Sequence, residues 1–442
     1  MASRPADYFV FPSVVSANKP STIHILPRGD HAAFEDGVPY TIELIPMECF
    51  NVPYCLDRFS AEYETRTAVA QNGALCFTYT FLGEQEWSVA VFPAKDPERR
   101  KLFHIFAAEE DLYRRTPYRG DLHTHSNRSD GSEAPAVVAA NYRKAGFDFL
   151  AITDHHRYRP SLEAIEAFRG VPTGLRLFPG EEVHVPGNYV HMINFGGSLS
   201  VNELFEADPD KCWKEVEQLA GELTVPGDIN PMEYAWRVWV VSHIRQGGGL
   251  AILAHPFWTW CDEYNMQTRL TQYLLRTGCY DAFELLGGLE DRENNLQVAL
   301  YGDARAEGCK IPIVGSSDSH GTQPPIYFGS NCTVLLADGE LNQNTLSRSI
   351  LEHYSVAVGM RDWKPVRVYG TFRMVKYVQF LLEHYFPRHD ELCVEEGILM
   401  LDYACGDKAA KERLAGLSGR IEAFRDRFFG RNGDEITAIL GH

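Results

Sequence analysis

Two rhythms of apolar and polar positions divide this chain. Over residues 1–115, short segments alternate or run apolar, as in 21–26, 40–45 and 87–92, with Pro, Gly and Asn between them. Period-two alternation sets successive side chains on opposite faces of a strand, and those breakers supply the turns. The pattern predicts a β-sandwich of immunoglobulin-like type over 1–115. The linker falls at 113–117, Tyr-Arg-Arg-Thr-Pro.

From 118 to 360 strand-like runs alternate with helical segments. Residues 136–144 have helical composition, and Pro135 suits a first helical turn. Buried-strand runs stand at 147–153, 175–178, 250–253, 282–286 and 311–314. Such alternation predicts a parallel sheet. Because metal-liking side chains follow so many of these runs, a closed barrel suits them best, with its chemistry at the C-terminal rim. Residues 200–245, rich in helix formers and in aromatics such as Trp213, Tyr234, Trp236 and Trp239, form an insertion expected to cap or border that rim. Residues 370–442 read as two or three helices, amphipathic over 375–385 and 409–429. The predicted class is α/β: a distorted (β/α) barrel over 118–360, an N-terminal β-sandwich domain over 1–115 and a helical C-terminal extension over 370–442.

At 442 residues, 45% hydrophobic and 23% charged, the composition is that of a soluble globular protein of two or three domains. No apolar run approaches the ~20 residues of a membrane helix. The opening Met-Ala-Ser-Arg-Pro-Ala-Asp lacks a secretory pattern, so a cytoplasmic location is expected. Sixty acidic against 42 basic residues leave a net charge of −18, which opposes nucleic-acid or membrane partners. It does not oppose an anionic small substrate, because bound cations make a pocket locally positive. The ten cysteines form no CxxC pair and are expected as reduced, buried thiols.

The candidate chemistry is an ordered series. Asp121-Leu122-His123-Thr124-His125 is followed by Ser129-Asp130-Gly131, Thr153-Asp154-His155-His156, Gly180-Glu181-Glu182, His191, Ala254-His255-Pro256 and Ser317-Asp318-Ser319-His320. Imidazoles and carboxylates hold zinc, manganese or iron while leaving a position open for water. One such pair means little. A series on successive strand ends describes a polynuclear hydrolytic centre.

In these motifs and their order, residues 118–335 resemble the PHP (polymerase and histidinol phosphatase) superfamily of metal-dependent hydrolases. The opening Tyr118-Arg119-Gly120-Asp121-Leu122-His123, preceded by a β-domain, is most similar to the branch that includes carbaryl hydrolases. The resemblance implies two or three divalent ions (Mn, Zn or Fe). The first would lie at His123, His125 and Asp318, with Glu182 bridging to a second that adds His191 and His255. The third would take Asp130, His155 and His320. His123, His125, Glu182, Asp318 and His255 would form the catalytic set.

Around this series other residues have competing readings. Glu181 contends with Glu182 for the bridging role, and the family's Gly-x-Glu spacing favours Glu182. His156 and His184 read as outward-facing or outer-layer histidines, and His243 as structural. Asp121 and Asp154 either orient neighbouring imidazoles or cap local backbone. Arg128, Arg157 and Arg159 are candidate substrate-binding cations, against the alternative of solvated loop charges. Phe257, Trp258 and Trp260 either wall the substrate or bury the rim. Gly247-Gly248-Gly249 precedes a strand rather than a helix, so it is no phosphate loop, and no GxSxG elbow occurs.

The expected activity is hydrolysis of a small phosphate mono- or diester by metal-activated water. The alternative is a carboxyl, amide or carbamate ester at the same centre. A degenerate barrel used as a binding module should have lost ligands, and all nine positions keep a competent residue. The expected partner is a small, anionic ester substrate, with a homo-oligomer left open.

Overall fold

The computed structural model describes residues 7–48, 63–185, 188–323, 328–361 and 364–431. The opening segment 1–6, Cys49, Cys55 and the last residues of the expected helical extension, 432–442, lie outside them. The eight described cysteines are all free thiols. No helix among the described residues is long and apolar enough to cross a membrane.

The chain forms two compact units. One comprises Met1–Arg115, Phe380–Tyr385 and Gly419–His442, the other Thr116–Gln379 and Phe386–Ser418. In the first, a three-stranded sheet runs in the order Tyr8–Phe11, Pro20–Pro27, Leu75–Thr80. A five-stranded sheet runs Val14–Ser16, Lys101–Ala108, Gln85–Pro93, Pro39–Pro46, Glu64–Val69. The alternation seen in the sequence turns Ile23 and Ile25 of one sheet, and Ile42, Leu44, Val89, Phe103 and Ile105 of the other, into one buried core. Tyr79, Phe81 and Trp87 pack edge to face within it.

The second unit is mixed α/β. Its six-stranded sheet runs Arg176–Phe178, Phe149–Ala151, Thr116–Asp121, Asn331–Ala337, Ser355–Gly359, Arg367–Tyr369. Its five-stranded sheet runs Gly180–Val185, Asn188–Phe195, Leu250–Leu253, Ala282–Leu286, Ile313–Gly315. This departs from the single closed parallel sheet expected from the sequence. Asn188–Phe195 lies antiparallel to both its neighbours, and Asn331–Ala337 is antiparallel to Thr116–Asp121. The connection between Val185 and Asn188 is too short for a helical crossover, so that pair can only be a hairpin.

Both faces of the central strands are nonetheless buried. Leu250 and Ile252 point into a core shared with Phe149, Ala151, Leu335 and Val314 of both sheets, while Ala251 and Leu253 face helices. This explains why 250–253 reads as a continuous apolar run. Parallel bridges Thr124 to Ser319 and His155 to Glu182 join the ends of the two sheets.

Residues 200–246 form three helices, Val201–Ala207, Pro209–Glu222 and Pro231–Gln246. Trp236, Trp239, Val240 and Ile244 of the last bury against the five-stranded sheet's outer face. The described residues after 370 form four helices, which divide between the two units. In the second unit, Phe386–Ala404 packs on Pro135–Lys144, where a Cβ on Gly397 would come within 2.2 Å of the Lys144 nitrogen. This approach lets Glu396 reach Arg143 at 2.8 Å, and His389 reach Asp148 at 2.9 Å, all buried.

Candidate metal centre

Six of the nine candidate ligands follow strands of the two sheets. His123 and His125 follow the strand Thr116–Asp121, His155 follows Phe149–Ala151, His255 follows Leu250–Leu253, and Asp318 and His320 follow Ile313–Gly315. Glu182 and His191 stand within the hairpin strands themselves. Period two puts Glu182 and His184 on one face of their strand and Glu181 on the other. Glu181 there accepts from Ser200 Oγ, Val201 N, Asn194 Nδ2 and Asn202 Nδ2, anchoring the start of the helix Val201–Ala207. Burial pushes its pKa up despite these donors.

Glu182 is the focus. Its Oε2 lies 3.4 Å from His123 Nε2, 3.5 Å from His125 Nε2 and 2.7 Å from His155 Nδ1. Its Oε1 lies 3.3 Å from His184 Nε2, 3.0 Å from His191 Nδ1 and 3.3 Å from His255 Nε2. Asp318 Oδ1 sits 3.1 Å from His123 Nε2 and 2.9 Å from His125 Nε2. At the mouth, Asp130 Oδ2 lies 3.4 Å from His155 and 3.3 Å from His320.

Donor atoms within 4.8 Å of one another form four overlapping groups: His123, Glu182 and His255; His123, His125 and Asp318; His125, Asp130, His155 and His320; His155, Glu182 and His184. Eight of the nine predicted positions fall within these groups, which differ from the expected grouping at His125, His184 and His191. His125 also faces the Asp130 group. His184, read from sequence as an outer histidine, stands inside, while His191 meets Glu182 without joining any of these groups. The signal for His184 was its i+2 spacing from Glu182.

The donor set fits divalent cations. The fully buried Nε2 of His123, Nδ1 of His125 and Oε2 of Glu182 have no well-directed hydrogen bond among the described residues, although His155 approaches that oxygen closely. Leaving such atoms bare costs about 1–3 kcal/mol each. Charge is equally unsettled. Burial would raise Glu182, yet His155, His184 and His123 hold it well below the carboxylate range. Burial would lower His123 and His155, yet Asp318, Glu284 and Glu182 raise the first, and Glu182 and Asp130 take the second to about 10. His125 and His191 are pushed down to about 4 by burial. Carboxylates thus draw protons onto some imidazoles while others remain neutral, and cations can take the place of those protons.

The surrounding loops are braced. Asp121 accepts from the backbone of Ser317 and His123 and from Tyr142, and Asp154 accepts from Ser126 and Ser129. Both therefore fix backbone and hydroxyls rather than imidazoles. Gly131 lies so close to the His125 carbonyl that a Cβ would meet it at 2.8 Å, which explains a glycine after Asp130. Asp318 has φ 49°, a left-handed conformation for a non-glycine residue, held here by its neighbours. Glu284, unremarked in the sequence, is fully buried and accepts from His123 Nδ1 at 2.9 Å. His243 donates within its own helix to Trp239 O, and His156 points to His184 O.

The centre opens into a cleft of about 570 Å³, lined by Asp130, His155, His184, His191, His255, Asp318 and His320 together with Trp258, Trp260, Glu263, Tyr264 and Asn265. Trp258 stacks on Trp260, and a small hairpin pairs Thr259–Trp260 with Glu263–Tyr264 through Cys261 and Asp262, both at positive φ. Phe257 is buried instead. No residue of 200–245 lines the cleft. Neither do Arg128, Arg157 or Arg159: Arg128 forms a two-pronged pair with Glu163, Arg159 approaches Glu203 at the surface, and Arg157 is exposed.

No family model and no curated protein matches this sequence. Among solved structures, it is similar to a two-domain protein from Bacteroides vulgatus containing a predicted PHP-like metal-dependent phosphoesterase. That likeness has 17% identity and a TM-score of 0.38, covering 56% of this chain and 66% of the other. A Bifidobacterium adolescentis protein with an inferred metal-dependent phosphoesterase assignment shows 19% identity and a TM-score of 0.36, over 52% of this chain and 95% of its own. An amidohydrolase from Chromobacterium violaceum shows 20% identity and a TM-score of 0.32, over 47% and 89%. At these values the chemistry has to be read from the side chains themselves.

Proposed function

We propose that this protein is a metal-dependent hydrolase of the PHP type, a phosphoesterase acting on a small phosphate mono- or diester. The observation that carries this is the convergence of six imidazoles on the buried Glu182 carboxylate. A carboxylate offers about four lone-pair sites, so hydrogen bonding alone does not account for six imidazoles, whereas sharing among cations does. On this reading the second unit is the distorted barrel of that superfamily, and the two-sheet unit is a β-sandwich.

Two or three divalent ions held here would supply an activated water and neutralise the oxygens of a transferring phosphoryl group. The chain's own residues do the rest. Glu182 and Asp318 set the spacing of the centre by each facing several imidazoles. Glu284 fixes the ring orientation of His123. Asp130 and His320, 56% and 38% exposed, stand where substrate enters. Trp258, Trp260 and Tyr264 offer aromatic surface to a leaving group. With no arginine in the lining, the cations themselves attract the substrate's negative charge.

That same lining favours the second reading, an uncharged carboxyl or carbamate ester at the same centre, because its walls are aromatic rather than cationic. A parallel assay of manganese-loaded protein on an aryl phosphate monoester, an aryl phosphodiester, an aryl acetate and an aryl carbamate separates the two. Turnover of a phosphoester, abolished in Glu182→Gln, supports the first. Turnover confined to acetate or carbamate overturns it in favour of the second, and turnover of none overturns both.

A further inference from the structure

The unit built on residues 1–115 carries a polar cluster of its own. Within its five-stranded sheet, Ser88 faces His104 and Glu86 faces Phe106, so Glu86 and His104 are diagonal neighbours on one face. That face is opposite to the one whose Trp87, Val89, Phe103 and Ile105 enter the core. Phe380 and His384, which belong to the same unit, pack on it: Phe380 against Phe106, and His384 against His104 with ring centroids 5.0 Å apart and planes 19° from parallel.

His104 Nδ1 lies 2.7 Å from Glu86 Oε1, which accounts for two of the three polar side chains. It leaves His384 unexplained. The His384 Nε2 is buried and has no hydrogen-bond partner among the described residues, its nearest carboxylate being that of the exposed Glu383 at 3.9 Å. Glu86, His104 and His384 each offer a donor atom, all within 4.8 Å of one another. The stacked imidazoles repeat an arrangement found in the main cluster, where His125 and His320 stand 4.3 Å apart at the same 19°.

We propose that Glu86, His104 and His384 form a second, mononuclear site for a transition-metal cation of zinc's class, separate from the hydrolytic centre. Two imidazoles and one carboxylate are a zinc donor set that leaves a fourth position for water, and each side chain is a little more than a quarter exposed, so an ion can enter. Such an ion ties the sheet to the segment carrying His384 and stabilises the unit by mass action.

The test uses the full chain, stripped of metal and then loaded with zinc. Crystals examined at the zinc absorption edge should show an anomalous peak among Glu86, His104 and His384. A map with no peak there at millimolar zinc overturns the site, whatever the other cluster holds. In solution, His384→Gln and Glu86→Gln should each bind one zinc equivalent fewer than wild type, with turnover by the manganese-loaded centre changed less than twofold. Equal zinc stoichiometry in variant and wild type overturns the proposal. If the variants do not fold, the wild-type map alone decides.

Discussion

His123 Nδ1 donates to Glu284 Oε2 across 2.9 Å, and neither side chain reaches solvent. This bond commits the other ring nitrogen, Nε2, to the focus shared by Glu182 and Asp318. A carboxylate behind a metal-binding imidazole fixes its tautomer and raises its basicity, an effect worth about 10–100-fold in metal affinity. Glu284→Ala should therefore weaken metal binding by on the order of 10–100-fold, while Glu284→Gln, which can still accept through its amide oxygen, should lose less. Equilibrium dialysis with manganese measures both. Equal affinity in Glu284→Ala and wild type would remove the orienting role.

Glu182→Gln should be more severe. The amide keeps the shape but removes the charge that faces six imidazoles, so at least one metal equivalent should be lost and turnover should fall by more than roughly 100-fold. Elemental analysis and a phosphatase assay on the same preparation provide the check, with circular dichroism to confirm folding. Full metal content with normal turnover would place the centre elsewhere.

Metal uptake should depend on pH with a definite sign. In the metal-free site His155 is raised to about 10 by Glu182 and Asp130, against the opposing effect of its burial, and His123 is raised as well. A bound cation must displace the proton on His155, and the carboxylates draw a proton onto His123 in the same direction, so raising the pH favours the loaded form and acid favours the empty one. Calorimetric titration with manganese in two buffers of different ionisation enthalpy should show proton release at pH about 7, and affinity should climb between pH about 6 and about 8. Zero proton release would contradict the charge pattern.

Trp260, 64% exposed beside the cleft and stacked on Trp258, should act on binding rather than on chemistry. Trp260→Ala should raise KM for an aryl phosphate several-fold, as loss of one aromatic contact of about 0.5–1.5 kcal/mol requires, with kcat little changed. An equal KM for aryl and alkyl phosphates in wild type would remove the aromatic wall from the account.

Away from the centre, the buried Arg143 guanidinium depends on Glu396 and Asp148. Glu396→Ala should cost about 3–5 kcal/mol in urea unfolding, because it removes one of the two carboxylates that face a guanidinium held in the interior. The paired replacement Arg143→Met with Glu396→Leu should recover most of that loss. Additive destabilisation in the pair would show that the charges do not act together.

How legible the molecule was depends on which residues are asked. Six of the nine candidate ligands stand out because they adjoin a strand end in a short motif, and the helix Pro135–Lys144 and strands Leu250–Leu253 and Ala282–Leu286 follow directly from apolar patterning. Glu284 belongs to no motif, yet it lies mid-strand in Ala-Phe-Glu-Leu-Leu, where a carboxylate inside a fully buried run needs a partner. The division into two sheets turned on a hairpin whose short connection outweighs the strand–helix rhythm. Arg128 and Arg159 face Glu163 and Glu203 rather than the cleft. Arg143 with Glu396 joins positions 253 apart in sequence, and no local pattern encodes such a pairing.

The sharing of the last helices between the two units has a consequence for biosynthesis. Ser13 N donates to Phe428 O, and Arg431 reaches the Arg115 carbonyl, so a segment made earlier is finished by residues made much later. At about 5–20 residues per second, roughly 15–60 s separate residue 115 from residue 428. Through that interval the nascent amino-terminal sheets wait with open seams, and a chaperone that shields them would find its substrate there.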